Sequence, residues 1–178
     1  MWQISLSGTG GQGIILAGII LAEAAILEDK QAIQTQSYGP EARGGASKSE
    51  VIISDEVIDY PKIVTADILL AMSDEAIKKY LGMLKKGGKL IVDTSIVTDI
   101  PAVEAEVYPV ALTQTARDEL GNAMFANLIS LGVLVAVSDV VGRDSLTKAV
   151  LGRVPKGTEE INQKALELGF RLGDGVKK

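Results

Sequence analysis

The 178 residues amount to one domain by length and suffice to bury a core. Apolar residues make up 47% and charged residues 23%, the mixture of a folded globular protein and not of a disordered chain. The net charge of -5 speaks against nucleic acid or anionic lipid as partners, since both call for clustered Lys and Arg.

In chain order, residues 2–7 form a short apolar run that ends in glycines and predicts a first strand. Residues 12–29 predict a helix that is apolar nearly all round, hence buried on more than one side. Its core, residues 14–27, is interrupted by Glu23 and falls short of the ~20 residues a membrane span requires. No basic residue precedes Lys30, so the start does not read as a signal peptide, and a cytoplasmic protein is the expectation. Residues 32–37 form a second strand, residues 38–46 a loop marked by Gly39-Pro40 and Gly44-Gly45, and residues 47–54 a third strand rich in β-branched side chains.

Residues 67–72 predict another strand. Ser73 is placed to cap the following helix, with Asp74 and Glu75 in its first turn, where the helix dipole favours negative charge. That helix is expected to end by Lys85 and Lys86, before Gly87-Gly88. Strands follow at 89–94 and 104–110. The last third is helical: 113–120, stopped by Gly121, then 122–138, 144–153 and 158–172. Strands alternating with helices imply an α/β fold, a Rossmann-like three-layer sandwich with a mostly parallel sheet and a helical C-terminal third, in a single domain over residues 1–178. The uncharged run 129–137 reads either as a central helix packed on the sheet or as a face covered by another chain.

There is no cysteine and no histidine. Ordinary iron–sulfur ligation, disulfides and thiolate chemistry are thereby excluded, together with the commonest general base and zinc ligand. No catalytic residue and no metal site are assigned.

Two segments stand out. Gly8-Thr9-Gly10-Gly11-Gln12-Gly13 fits G-x-G-x-x-G between a predicted strand and helix, where glycine permits a tight turn and close approach, and backbone N–H groups at the helix start suit a phosphate. The ribose-binding acid of a dinucleotide site is missing: residues 34–37 are Gln, Thr, Gln and Ser, while Glu28 and Asp29 come too early. No Gly-Lys-Ser or Gly-Lys-Thr follows, so the P-loop reading fails. Gly8, Gly10, Gly11, Gln12 and Gly13 remain either a phosphate-facing loop, a subunit-facing loop or a structural turn. The second segment, Tyr38-Gly39-Pro40-Glu41-Ala42-Arg43-Gly44-Gly45, sets one Glu and one Arg among residues that cannot shield them. Arg43 either makes a local contact with Glu41 or offers its rigid five-donor fork to a carboxylate, a phosphate or a neighbouring chain.

Together these two motifs, followed by Ser49-Glu50-Val51-Ile52-Ile53-Ser54, resemble the γ subunit of 2-oxoacid:ferredoxin oxidoreductases. Leu84-Lys85-Lys86-Gly87-Gly88-Lys89-Leu90-Ile91-Val92-Asp93, Glu119-Leu120-Gly121-Asn122, Asn127-Leu128-Ile129-Ser130-Leu131-Gly132 and the closing Asn162-Gln163-Lys164-Ala165-Leu166-Glu167-Leu168-Gly169 extend the likeness over nearly the whole chain. It looks most like the 2-oxoglutarate type; Ile52 stands where such chains often carry Arg. The resemblance implies a complex that decarboxylates a 2-oxoacid on thiamine diphosphate, passes electrons through iron–sulfur clusters to ferredoxin and yields an acyl-CoA. It further implies that thiamine diphosphate, Mg and the clusters are held by α, β and ferredoxin-like δ subunits. Tyr38, Glu41 and Arg43 would face the thiamine-binding subunits, and the glycine loop with Arg43 would meet a coenzyme A phosphate. An independent nucleotide-binding oxidoreductase and a non-enzymatic scaffold of the same fold stay open beside this reading. In isolation, exposed apolar faces are expected to pair with themselves.

Overall fold

The computed structural model describes residues 1–37 and 45–177. Six strands among them form one sheet in the order β2-β3-β1-β4-β5-β6: β1 (Trp2–Thr9), β2 (Gln31–Ser37), β3 (Ala46–Ser54), β4 (Ala66–Ala71), β5 (Leu84–Asp93) and β6 (Glu106–Val110). The helices are α1 (Ile14–Ile26), α2 (Asp74–Tyr80), α3 (Leu112–Leu120), α4 (Ala126–Ser138), α5 (Arg143–Arg153) and α6 (Glu159–Val176). No helix among the described residues is long and apolar enough to cross a membrane.

β1, β4, β5 and β6 run parallel, as expected, whereas β3 lies antiparallel between β1 and β2. The reason is connection length. A parallel crossover takes about a dozen residues or more, and the stretch between Ser37 and Ala46 is shorter than that. β3 must therefore pair back on β2.

Period-2 alternation splits the strand side chains between two unequal layers. Ile4, Leu6, Val51, Ile53, Ile68, Leu70 and Ile91 face the larger core, built with α1, α3, α4, α5 and α6. Leu69, Ala71, Leu90 and Val92 face the smaller one, closed by Ala76, Ile77 and Tyr80 of α2. Ser73 caps α2 as its position predicts, its Oγ accepting from the Ala76 N–H at 3.1 Å.

That helix stops sooner than its charge pattern suggests. α2 ends at Tyr80 and a 3-10 turn over Leu81–Met83 leads straight into β5. Leu84 pairs with Ala66 and Lys89 with Ile68 on β4, so the residues between them bulge out of the ladder. Gly87 sits in the bulge at φ 74, and its N–H donates to the Glu104 carbonyl at 2.7 Å. Lys85 and Lys86 pair with Asp67 and Glu104. The lysines thus belong to the sheet edge of the bulge and not to a helix end. The long helix expected from residue 122 likewise begins as a 3-10 turn, Ala123–Phe125, capped by Asn122 Oδ1, which accepts from the Met124 N–H at 2.9 Å.

α4 is buried along residues 126–137. Its own chain covers it: α1, α3, α5 and above all α6 pack on it, so the uncharged run needs no second protein. The α4–α6 contact is backbone against backbone. A Cβ on Gly132 would fall 2.8 Å from the Gly169 Cα, one on Gly169 would overlap the Ile129 carbonyl, and one on Gly173 would fall 2.5 Å from the Ala136 Cβ. Such approach is open only to small residues. Gly169→Ala should therefore lower unfolding stability in urea by about 1–3 kcal/mol, the usual cost of overpacking. Gly175→Ala, on the same helix with open space around it, should be neutral or mildly stabilising.

Candidate functional site

β1 and β4 lie side by side, but the chain leaves them in opposite directions: α1 returns to β2 on one side, α2 to β5 on the other. In open α/β sheets, ligands bind in the crevice outside the carboxyl ends of strands at such a switch point. Here that crevice is a cleft of ≈ 210 Å³ lined by Gly11, Gln12, Met72, Thr113, Arg117 and Met124 with three further residues.

The glycine loop forms one wall. It turns back at once, the Gln12 N–H donating to the Thr9 carbonyl at 3.3 Å. The Gln12 side chain then straps two strand ends together. Its Oε1 accepts from the Thr9 N–H at 2.7 Å and its Nε2 donates to the Met72 carbonyl at 2.9 Å. That amide lies where a Cβ on Gly8 would stand, so Gly8 is glycine to make room for the strap. Gly13 takes a left-handed conformation, φ 74, and a Cβ there would collide with Asn127. Asn127 Nδ2 donates to the Gly13 carbonyl at 3.5 Å, joining the starts of α1 and α4. Gly11 has φ 91.

Gly10 differs. It is exposed, its φ is not positive, and no described residue lies within 4 Å of an added Cβ. Nothing among the described residues demands a glycine at position 10, whereas close approach of another group would.

The opposite wall is α3. Asp93, fully buried at the end of β5, accepts from the Thr113 hydroxyl at 2.5 Å and the Thr113 N–H at 3.2 Å. It also accepts from the Ser95 N–H at 3.0 Å, and Ser95 Oγ accepts from the Gln114 N–H at 2.9 Å. The first turn of α3 is thus pinned to the sheet. Arg117 follows Thr113 by one helical turn, so both side chains share the cleft face. Its guanidinium is exposed and has no hydrogen bond or ion pair among the described residues. Among the described residues no carboxylate lines the cleft.

Gly11 and Gln12 of the glycine motif line the crevice, and the Gln12 amide straps its wall. Tyr38, Glu41 and Arg43 lie outside the described residues. The start of β3 reaches the glycine loop, Ala46 pairing with Thr9 and Ser47 with Gly8. Sequence reasoning missed Arg117 and Asp93. The one available signal was an acid closing the apolar run Leu90-Ile91-Val92-Asp93, since the carboxyl end of a parallel strand lies next to the crevice. The architecture also explains the missing ribose acid. β3 separates β2 from β1, so the end of β2 is not the neighbour of the glycine turn that a dinucleotide site needs.

A Rossmann-like sheet with an inserted antiparallel strand, a strapped glycine loop and an open crevice at its switch point defines an α/β ligand-crevice or subunit-docking domain. More particularly, the chain belongs to the pyruvate ferredoxin/flavodoxin oxidoreductase family, whose model matches residues 3–172. It is 51% identical to the 2-oxoglutarate synthase subunit KorC of Methanocaldococcus jannaschii, over 96% of this chain and 92% of that one. Among solved structures it is similar to the γ subunit of a keto/oxoacid ferredoxin oxidoreductase from Geobacter sulfurreducens, with a TM-score of 0.88, 48% identity and coverage of 97% and 98% of the two chains. The 2-oxoglutarate:ferredoxin oxidoreductase of Magnetococcus marinus, solved with 2-oxoglutarate, coenzyme A and succinyl-CoA bound, matches with a TM-score of 0.89 over 99% of this chain and 32% of that one. At 23% identity that likeness is one of fold.

Asp93→Ala should strand the Thr113 hydroxyl and N–H without an acceptor, at a cost of about 1–3 kcal/mol in urea unfolding. Asp93→Asn keeps an acceptor oxygen and should cost less.

Proposed function

We propose that this chain is the γ subunit of a 2-oxoacid:ferredoxin oxidoreductase of the 2-oxoglutarate type. The complex converts a 2-oxoacid and coenzyme A to an acyl-CoA and CO2 while ferredoxin is reduced. The observation that carries the reading is end-to-end identity of 51% with a 2-oxoglutarate synthase subunit of matching length. The chain acts as one domain, in the cytoplasm, beside α, β and ferredoxin-like δ subunits.

The redox groups of such a complex do not suit this chain. It has no cysteine to ligate a cluster, and the described residues contain no group of three His, Cys, Asp or Glu side chains able to hold a metal ion. Thiamine diphosphate, Mg and the iron–sulfur clusters are accordingly assigned to the partner subunits. This chain contributes binding and positioning.

The crevice supports a contact with coenzyme A. Among the described residues Gly10 leaves the backbone open to an approaching group, the start of α1 has no side-chain cap on its N–H groups and carries the positive end of the helix dipole, and Arg117 supplies a guanidinium without a partner. A diphosphate or a ribose phosphate is an anion of the size and charge these donors meet. Arg43 is proposed to join them, or to bind the thiamine-bearing subunits together with Tyr38 and Glu41.

Gly10→Ala discriminates well, because the added Cβ meets no atom of the described residues. In the assembled complex, Gly10→Ala, Arg117→Ala and Arg43→Ala should each raise KM for coenzyme A more than KM for the 2-oxoacid. For the arginines the rise should be about tenfold, as expected for loss of one charge-assisted hydrogen bond. An unchanged coenzyme A constant with intact assembly would remove the contact. Failure of assembly would mark the loop as a subunit interface.

A further inference from the structure

The two edges of the sheet are built differently. β6, one terminal strand, has five residues and is blunted by Pro109 and by Glu106, whose carboxylate accepts from Lys89 Nζ at 2.7 Å. Short length, proline and charge are the usual devices that keep an edge from pairing with another chain. β2, the other terminal strand, has none of them. Its seven residues, Gln31–Ser37, include no charge and no proline, and its pairing with β3 is regular from end to end, without a bulge. Among the described residues no strand pairs with its outer side. Alternate N–H and C=O groups along that side are left to solvent or to another extended strand in register.

We propose that the occupant is β2 of a second copy of this chain, paired antiparallel about Gln34 on a two-fold axis. Such an isologous seam must be complementary to itself, and the residue pattern meets that condition. Ile33 falls opposite the partner's Thr35, Ala32 opposite the partner's Gln36 and Gln31 opposite the partner's Ser37. The period of two keeps Ile33 with Thr35 on one face and Ala32, Gln34 and Gln36 on the other. No charged side chain meets its own kind. Lys30, just before the run, is engaged within its own protomer by Glu28 at 2.9 Å and the Val140 carbonyl at 3.1 Å.

A strand pair of this length covers less than the roughly 1,000 Å² in total that a stable interface needs, so the pairing is a weak one that fills at high protein concentration. The proposal does not depend on the identity of the larger complex.

The full-length chain should sediment as a dimer at high concentration. Because it contains no cysteine, Gln34→Cys places a single thiol on the proposed axis and should give a disulfide-linked dimer on mild oxidation. Val107→Cys, on the other edge strand, should not. Gln34→Glu and Gln34→Lys each set like charges face to face and should raise the dimer dissociation constant about fivefold or more. Mixing the two should restore association, and unchanged thermal unfolding in dilute solution would show that each variant folds. A monomeric wild-type chain would overturn the proposal, as would a dimer indifferent to both charge variants. An isolated monomer whose β2 amides gain exchange protection only in the assembled complex would give the edge to a different subunit and overturn it equally.

Discussion

The larger layer of the protein depends on two helices touching without side chains between them. Where α4 meets α6, Gly132, Gly169 and Gly173 bring backbone to backbone, and this close crossing lets α4 lie wholly inside the chain, buried along residues 126–137. A helix without a polar face has to be covered on every side, and α6 provides the cover that the sheet, α1, α3 and α5 leave open. The consequence reaches the crevice, since the same α4 presents Asn127 to the Gly13 carbonyl. The start of α1, and the glycine turn ahead of it, are set by the position of a helix more than a hundred residues later.

The crevice walls are held by polar contacts of the same economy. Gln12 uses both ends of its amide to tie the exits of β1 and β4, and Asp93 uses both oxygens to pin α3 to the exit of β5. Both groups are engaged within the chain, Asp93 fully buried. Facing outward among the described residues are the open backbone at Gly10 and the guanidinium of Arg117. In a chain of net charge -5, the described walls of the cleft carry one cation and no carboxylate, a local sign opposite to that of the whole.

This division suits a polypeptide whose chemistry lies in its surfaces. Without thiols or imidazoles, its resources are backbone donors, a few well-placed guanidinium groups and apolar area. Those are the means by which a domain positions a ligand or a neighbour, and the contrast between the blunted β6 edge and the open β2 edge belongs to the same pattern.

Much of this was legible from residue order, because it rests on local physics. Ser73 as a cap, Gly121 as a helix stop, the alternation of strands and helices, and the tight turn at residues 8–13 all follow from propensity and backbone freedom over a few residues. Likeness to the γ subunits was legible because two motifs recur at fixed spacing. Tertiary structure alone decided that β3 enters the sheet antiparallel beside β1, that Lys85 and Lys86 lie in a bulge of β5, that α4 is covered by its own chain, and that Arg117 lines the crevice while Asp93 pins its α3 wall. Each of those outcomes depends on a partner distant in sequence, and a contact of that kind has no period or spacing by which the linear chain can announce it.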